Sequence, residues 1–79
     1  MVTDPVMATF ATAEFEIEPK SRLVGEKLRK AGFPTGSLVG GVVRGKDVLI
    51  PGGDDHFQAG DVVVVFALTS VAPKVHKLF

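Results

Sequence analysis

The sequence predicts an α+β fold: a small β-α-β-β-β-α domain with a mostly antiparallel sheet and two amphipathic helices. Three observations predict it. Val62 to Leu68 is an unbroken apolar run dominated by valine, and β-branched side chains favour a pleated backbone over a helix. Ala11, Ala13, Phe15 and Ile17 alternate with Glu14, Glu16 and Glu18, the period-two signature of a half-exposed strand. Between Ser21 and Ala31 the apolar residues Leu23, Val24, Leu28 and Ala31 fall on one arc at a helical period, opposite Arg22, Glu26, Arg29 and Lys30.

Taken in order, residues 1–6 read as a linker, with Asp4-Pro5 favouring extended chain. Residues 7–79 form the single domain. The first strand covers Met7 to Glu18 and ends at Pro19. Ser21 is the expected N-cap of the first helix, Gly32 its C-terminal cap, and Pro34 prevents extension. Gly25 lies inside that helix, where glycine costs about 1 kcal/mol against alanine. Leu38 to Val43 is the next strand, with Gly40-Gly41 marking a bulge or a close contact. Arg44-Gly45-Lys46-Asp47 fits a hairpin with a two-residue turn, glycine taking the first central position. Val48 to Ile50 returns, Pro51 closes it, and Gly52 to His56 is loop. Phe57 anchors that loop on the core, and Gly60-Asp61 makes the turn into the central strand, Val62 to Leu68. Apolar residues at both parities of that strand predict cover on both of its faces. Thr69 or Ser70 then caps a second helix, with Pro73 in its first turn, running to Phe79.

Composition sets limits. A chain of 79 residues buries roughly 60–65% of its unfolded surface, so its core is thin. No cysteine is present, so no disulfide or thiolate metal site adds stability, and association with a second surface is the obvious further source of burial. Nine basic residues balance nine acidic ones, which argues against nucleic-acid binding driven by phosphate neutralisation and against a polybasic membrane patch. No signal peptide and no membrane-spanning run is expected.

The candidate chemistry is sparse. Gly40 to Lys46 matches the G-x-x-x-x-G-K portion of a phosphate-binding loop, but Asp47 stands where that loop needs a hydroxyl for magnesium. The spacer is strand-like and a strand follows, so a hairpin is the better reading. Asp54-Asp55-His56 lacks a second histidine at ligand spacing and reads as solvent loop. His76 lies on the exposed or boundary side of the last helix. Ser21, Ser37 and Ser70 have turn or cap roles, and no base is paired with a nucleophile. No catalytic residue, no metal ligand and no cofactor is therefore expected in this domain.

The order of elements and several local strings resemble the C-terminal domain of RCK-type potassium-transport regulators, the TrkA-C domain. The strings are Ser21-Arg22-Leu23-Val24-Gly25-Glu26-Lys27-Leu28, Val42-Val43-Arg44-Gly45-Lys46-Asp47-Val48, Gln58-Ala59-Gly60-Asp61-Val62 with the run to Phe66, and Val75-His76-Lys77-Leu78-Phe79. Together they cover about residues 14 to 79, and the arginine-glycine hairpin and Lys-Leu-Phe ending look most like the last domain of the Trk regulatory subunit. The resemblance implies a cytoplasmic homodimer, peripheral to the inner side of the plasma membrane. It implies a partner that is a membrane potassium channel or transporter subunit, reached through a parent protein whose separate Rossmann domain binds nucleotide. It implies a regulatory, non-enzymatic role, with Gly25, Gly45, Gly60 and Asp61 as fold determinants. The alternative is a ligand-sensing domain of another cation antiporter or permease, binding cyclic di-AMP or a similar nucleotide. For that reading Arg44 and Lys46 are the candidate phosphate contacts, Arg44 through a bidentate fork, with Val39, Val42 and Ile50 as apolar walls.

Overall fold

The structure is a computed structural model and describes residues 10–79. The predicted linker at 1–6 and the start of the predicted first strand at 7–9 lie outside the described residues. The described residues hold four strands: β1 (Phe10–Glu16), β2 (Ser37–Arg44), β3 (Asp47–Leu49) and β4 (Val62–Leu68). They form one sheet in the order β1-β4-β2-β3, each neighbouring pair antiparallel. The valine run is therefore interior, as its composition predicts: it pairs with β1 on one side and β2 on the other. The arginine-glycine hairpin also forms as predicted. Arg44 pairs with Asp47 across a two-residue turn in which Gly45 has φ 62°.

The expected first helix does not form, and the described residues hold one short α-helix, not two. Ser21 does start a turn, its Oγ accepting a hydrogen bond from Leu23 N at 3.1 Å. The turn then stops at Gly25, whose φ of 80° lies outside the helical region. Beyond it the backbone is taken by another partner, the loop before β4. Gly25 N donates to Phe57 O (2.8 Å), Phe57 N to Glu26 O (3.1 Å), Leu28 N to Asp55 O (2.9 Å) and Arg29 N to Gly53 O (3.0 Å). Lys27 and His56 are bridged as in an antiparallel ladder, and Lys27 is extended (φ −71°, ψ 145°). Only a single 3₁₀ turn, Leu28–Lys30, follows. The helical periodicity of the apolar residues was real, but Leu23 and Ala31 reach the core through irregular chain.

The last element is also shorter than predicted. Helix α1 covers Ala72–His76, and Val71, not Thr69 or Ser70, occupies its N-cap with no side-chain cap bond. Pro73 sits at the start, where its missing N–H has no intrahelical partner to lose. Tight turns continue the chain, Leu78 N donating to Val75 O at 3.0 Å and Phe79 N to His76 O at 3.2 Å.

One face of the sheet carries the core. Val63, Val65 and Ala67 of β4 and Val39 and Val42 of β2 are buried there with Ile17, Leu23, Ala31, Phe57 and Val75. Phe79 stacks on Phe15 at a ring distance of 4.4 Å, and Phe33 links Phe79 to Phe57 at 6.0 and 6.2 Å. Val39 and Val42 are three residues apart, so a regular strand would put them on opposite faces. Gly40 resolves the conflict as a bulge: the register shifts between Val39, opposite Val65, and Gly41, opposite Val64. A Cβ there would run into the ring of Phe66, with Cδ2 at 2.8 Å, so any larger residue would have to displace that ring.

The expectation that both faces of β4 are covered is not met within this chain. Val62 and Val64 are half-buried by their neighbours, while Phe66 is exposed. No element among the described residues packs over that side.

Candidate functional site

The bulge sets the side on which Arg44 emerges. With Val42 directed to the core, Arg44 follows on the same face at the end of β2, beside the turn that leads into β4. There it meets Asp61, which is completely buried. Arg44 Nε donates to Asp61 Oδ1 at 2.9 Å and Nη2 to Oδ2 at 2.8 Å, a bidentate pair. Nη2 also donates to His56 O at 3.1 Å, and Gln58 N donates to Asp61 Oδ2 at 2.9 Å. The hydrogen bond from Arg44 holds the Asp61 carboxyl below the usual carboxylate range, against the opposing effect of burial. The same bond raises the Arg44 pKa above its ordinary value. From sequence, Asp61 reads as part of the turn into the central strand and as a fold determinant, not as the buried half of an ion pair. The missed signal is its position: a carboxylate immediately before a strand buried on one face must be paired or desolvated at high cost.

A cavity of about 440 Å³ lies beside this pair, between the β2–β3 hairpin and the loop before β4, lined by Val42, Arg44, Leu49, Ile50, Pro51, Asp55, His56, Phe57 and Gln58. Of the five residues singled out from sequence, Arg44, Val42 and Ile50 are brought together here. Val42 is at its floor, 1% exposed, and Ile50 at its rim, 84% exposed. Val39 lines a different recess of about 310 Å³ with Leu28, Phe33 and Pro51. Lys46 is exposed in the hairpin turn and lines neither.

Sequence reasoning did not place Leu49, at the end of β3, or His56 and Gln58 at this site; the loop that carries His56 and Gln58 is fixed by pairing with residues 25–29. Asp54, next to them, forms ion pairs with Arg29 and Lys27, and Asp55 Oδ2 accepts from Gly52 N at 2.6 Å. These carboxylates thus have structural partners. Among the described residues no three histidine, cysteine or acidic side chains converge as a metal site would need, and no helix is long and apolar enough to cross a membrane. The arrangement combines one guanidinium, largely engaged, with an imidazole and apolar walls. It can hold a flat or anionic molecule; it contains no nucleophile with a positioned base.

Comparison with known proteins gives a consistent result. The family model of the TrkA-C domain matches residues 12–79. The chain is 47% identical over 66 residues to Trk system potassium uptake protein TrkA homolog 1 of Methanosarcina mazei, covering 84% of this chain and 15% of that protein. It is 42% identical over 66 residues to homolog 2 of the same organism, again over 84% of this chain and 15% of the relative. It is 35% identical over 69 residues to the TrkA homolog of Archaeoglobus fulgidus, over 86% of this chain and 16% of the relative. The chain thus spans about 15% of the length of these relatives. A solved structure described as an RCK domain with cda superimposes with a TM-score of 0.69, covering 87% of this chain and 97% of that one at 18% identity, a likeness of fold.

Proposed function

The chain belongs to the TrkA-C domain family, and from that premise we propose that it is a non-catalytic regulatory module of a potassium transport system. The observation that carries the reading is the match over residues 12–79 together with relatives that are Trk potassium uptake proteins. In this reading the module acts as a homodimer, peripheral to the cytoplasmic side of the membrane. Its geometry biases a membrane channel or transporter subunit between two states, and it can do so only by contacting the two states differently. Nucleotide binding by a Rossmann domain belongs to a parent protein, not to this chain. The test is genetic and direct. Deleting this domain and measuring rubidium uptake should abolish the response of uptake to external potassium while the transporter is still made. Unchanged uptake kinetics would overturn the reading.

A second reading has its own observation, the cavity beside Arg44, and draws support from a solved RCK domain described as being with cda. Here the chain senses a nucleotide such as cyclic di-AMP, in this or another cation transporter. Nη1 is the guanidinium nitrogen left for a phosphate, since Nε and Nη2 bond to Asp61 and His56. Ile50 and Val42 supply apolar walls, and Lys46 adds positive charge from the hairpin turn. Val39 contributes only from the neighbouring recess. Titration calorimetry with cyclic di-AMP, ATP and NADH should give heat with one of them, weakened by Ile50→Asp. Absence of heat with all three removes this reading and leaves the first untouched.

A further inference from the structure

We propose that Phe66, on the sheet face opposite the core, is a positioning residue for the Arg44–Asp61 pair on the core face, acting as the lock that holds the β2 bulge in place. The inference concerns the pair itself and is independent of which molecule the neighbouring cavity takes.

Phe66 is 41% exposed, yet its ring has a specific seat. Phe66 lies opposite Leu38 in the ladder between β4 and β2, and its ring covers Gly40, two residues further along β2. A Cβ on Gly40 would meet Cε2 of that ring, with Cδ2 at 2.8 Å and Cζ at 3.3 Å. The ring thus fills the place that a side chain at residue 40 would take. Gly40 is not among the glycines with positive φ, so the missing side chain makes room for the ring and does not serve a left-handed backbone. Gly40 is also the residue that the ladder with β4 skips. The ring of Phe66 is what packs on it.

The bulge decides the face on which Arg44 emerges. Val39 lies opposite Val65, Gly41 opposite Val64 and Val42 opposite Val63. Opposed residues share a face, and a one-residue slip sends every following side chain to the other face. Without the extra residue, Gly40 would stand opposite Val64, Gly41 opposite Val63 and Val42 opposite Val62. Val42 would then leave the core, where it is 1% exposed, and Arg44 would emerge on the open face. Asp61, fully buried, would lose its bonds from Arg44 Nε and Nη2 at 2.9 and 2.8 Å. Bulges serve to re-aim a side chain in this way. The bulged and regular registers are two discrete arrangements of one element, which is what energetic coupling between separated positions requires. Phe66 touches that element from one face and Arg44 reports it on the other.

Nitrogen-15 NMR of the 79-residue chain reads the pair without any ligand, because an Arg44 Nε–H held by a buried carboxylate exchanges slowly with water. The wild type should show that slow signal, and its absence would remove the pair and the proposal with it. Phe66→Ala should lose the signal while circular dichroism still reports a folded sheet. Gly40→Ala, which displaces the ring with Phe66 intact, should lose it too. Phe66→Tyr keeps the ring and should retain it. Leu38→Ala removes a neighbouring apolar side chain on the same face, leaves Gly40 covered, and should also retain it. Retention of the signal in folded Phe66→Ala or Gly40→Ala would overturn the proposal. Loss in Phe66→Tyr or Leu38→Ala would do the same, by showing a general effect of stability. If Phe66→Ala does not fold, Phe66→Leu, apolar but without a flat ring, decides by the same two outcomes.

Discussion

Arg44 and Asp61 are unequal partners. Asp61 has no exposure, whereas the Arg44 side chain keeps 33%. Removing the arginine therefore strands a buried carboxylate, while neutralising the aspartate leaves a cation with access to water. Arg44→Met, which keeps the packing of the stem, should cost about 3 kcal/mol at pH 7, and Asp61→Asn about 1–2 kcal/mol, measured by urea unfolding. The pH dependence should separate them. In the wild type the Asp61 pKa is lowered by Arg44, so its contribution is present above the unfolded carboxylate value near 3.9 and is lost as pH falls through the lower native value. In Arg44→Met burial, the larger of the two remaining effects, raises that pKa against the Gln58 N–H hydrogen bond, so the sign reverses and stability falls as pH rises above about 4. Parallel pH profiles for wild type and Arg44→Met would show that the pair has no such role. None of this was legible in the residues, since Arg44 reads as a free hairpin cation until its face is known, and its face depends on one bulged glycine.

At the scale of elements, strands were legible and helices were not. A strand announces itself by period two and β-branching, both of which depend on near neighbours. The 22–31 segment carried a sound helical pattern, yet the backbone donors of Gly25, Leu28 and Arg29 bond to residues 53–57, which no local pattern can reveal. Gly25 discriminates the two conformations. In a helix, Gly25→Ala would stabilise by about 1 kcal/mol. At φ 80° it should instead destabilise by about 1–2 kcal/mol, although no atom lies within 4 Å of the added Cβ. Thermal or urea unfolding gives the sign directly. The hairpin, in contrast, was specified by Gly45 and by the apolar residues flanking it, and Gly40 was marked as a bulge or close contact and proves to be both.

For the whole molecule, the core is one layer of side chains under one face of a sheet, and half the apolar surface of β4 faces outward. A chain this small, with so thin a core, has a narrow stability margin. If a second copy supplies the missing layer, folding is linked to concentration. The midpoint of thermal unfolding should then rise by about 5 °C between roughly 5 and 500 µM chain. A midpoint independent of concentration would show that the monomer stands alone. The candidate cavity was legible in part for a related reason. Val42, Arg44 and Ile50 lie close together on one hairpin, and local sequence brings them near each other. Val39 and Lys46 belong to the same stretch, but the bulge and the turn send them elsewhere.

The sheet is closed in a particular order. Among the described residues β1 has one neighbour, β4, and the ladder joins Phe10 to Leu68 and Glu16 to Val62. β1 thus waits for β4, more than forty residues later in the chain, and the hairpin of β2 and β3 can form earlier from local contacts. Loop closure of that length slows folding more than it costs in final stability. Until β4 arrives, the alternating strand with its alanines and Phe15 has no template to pair with.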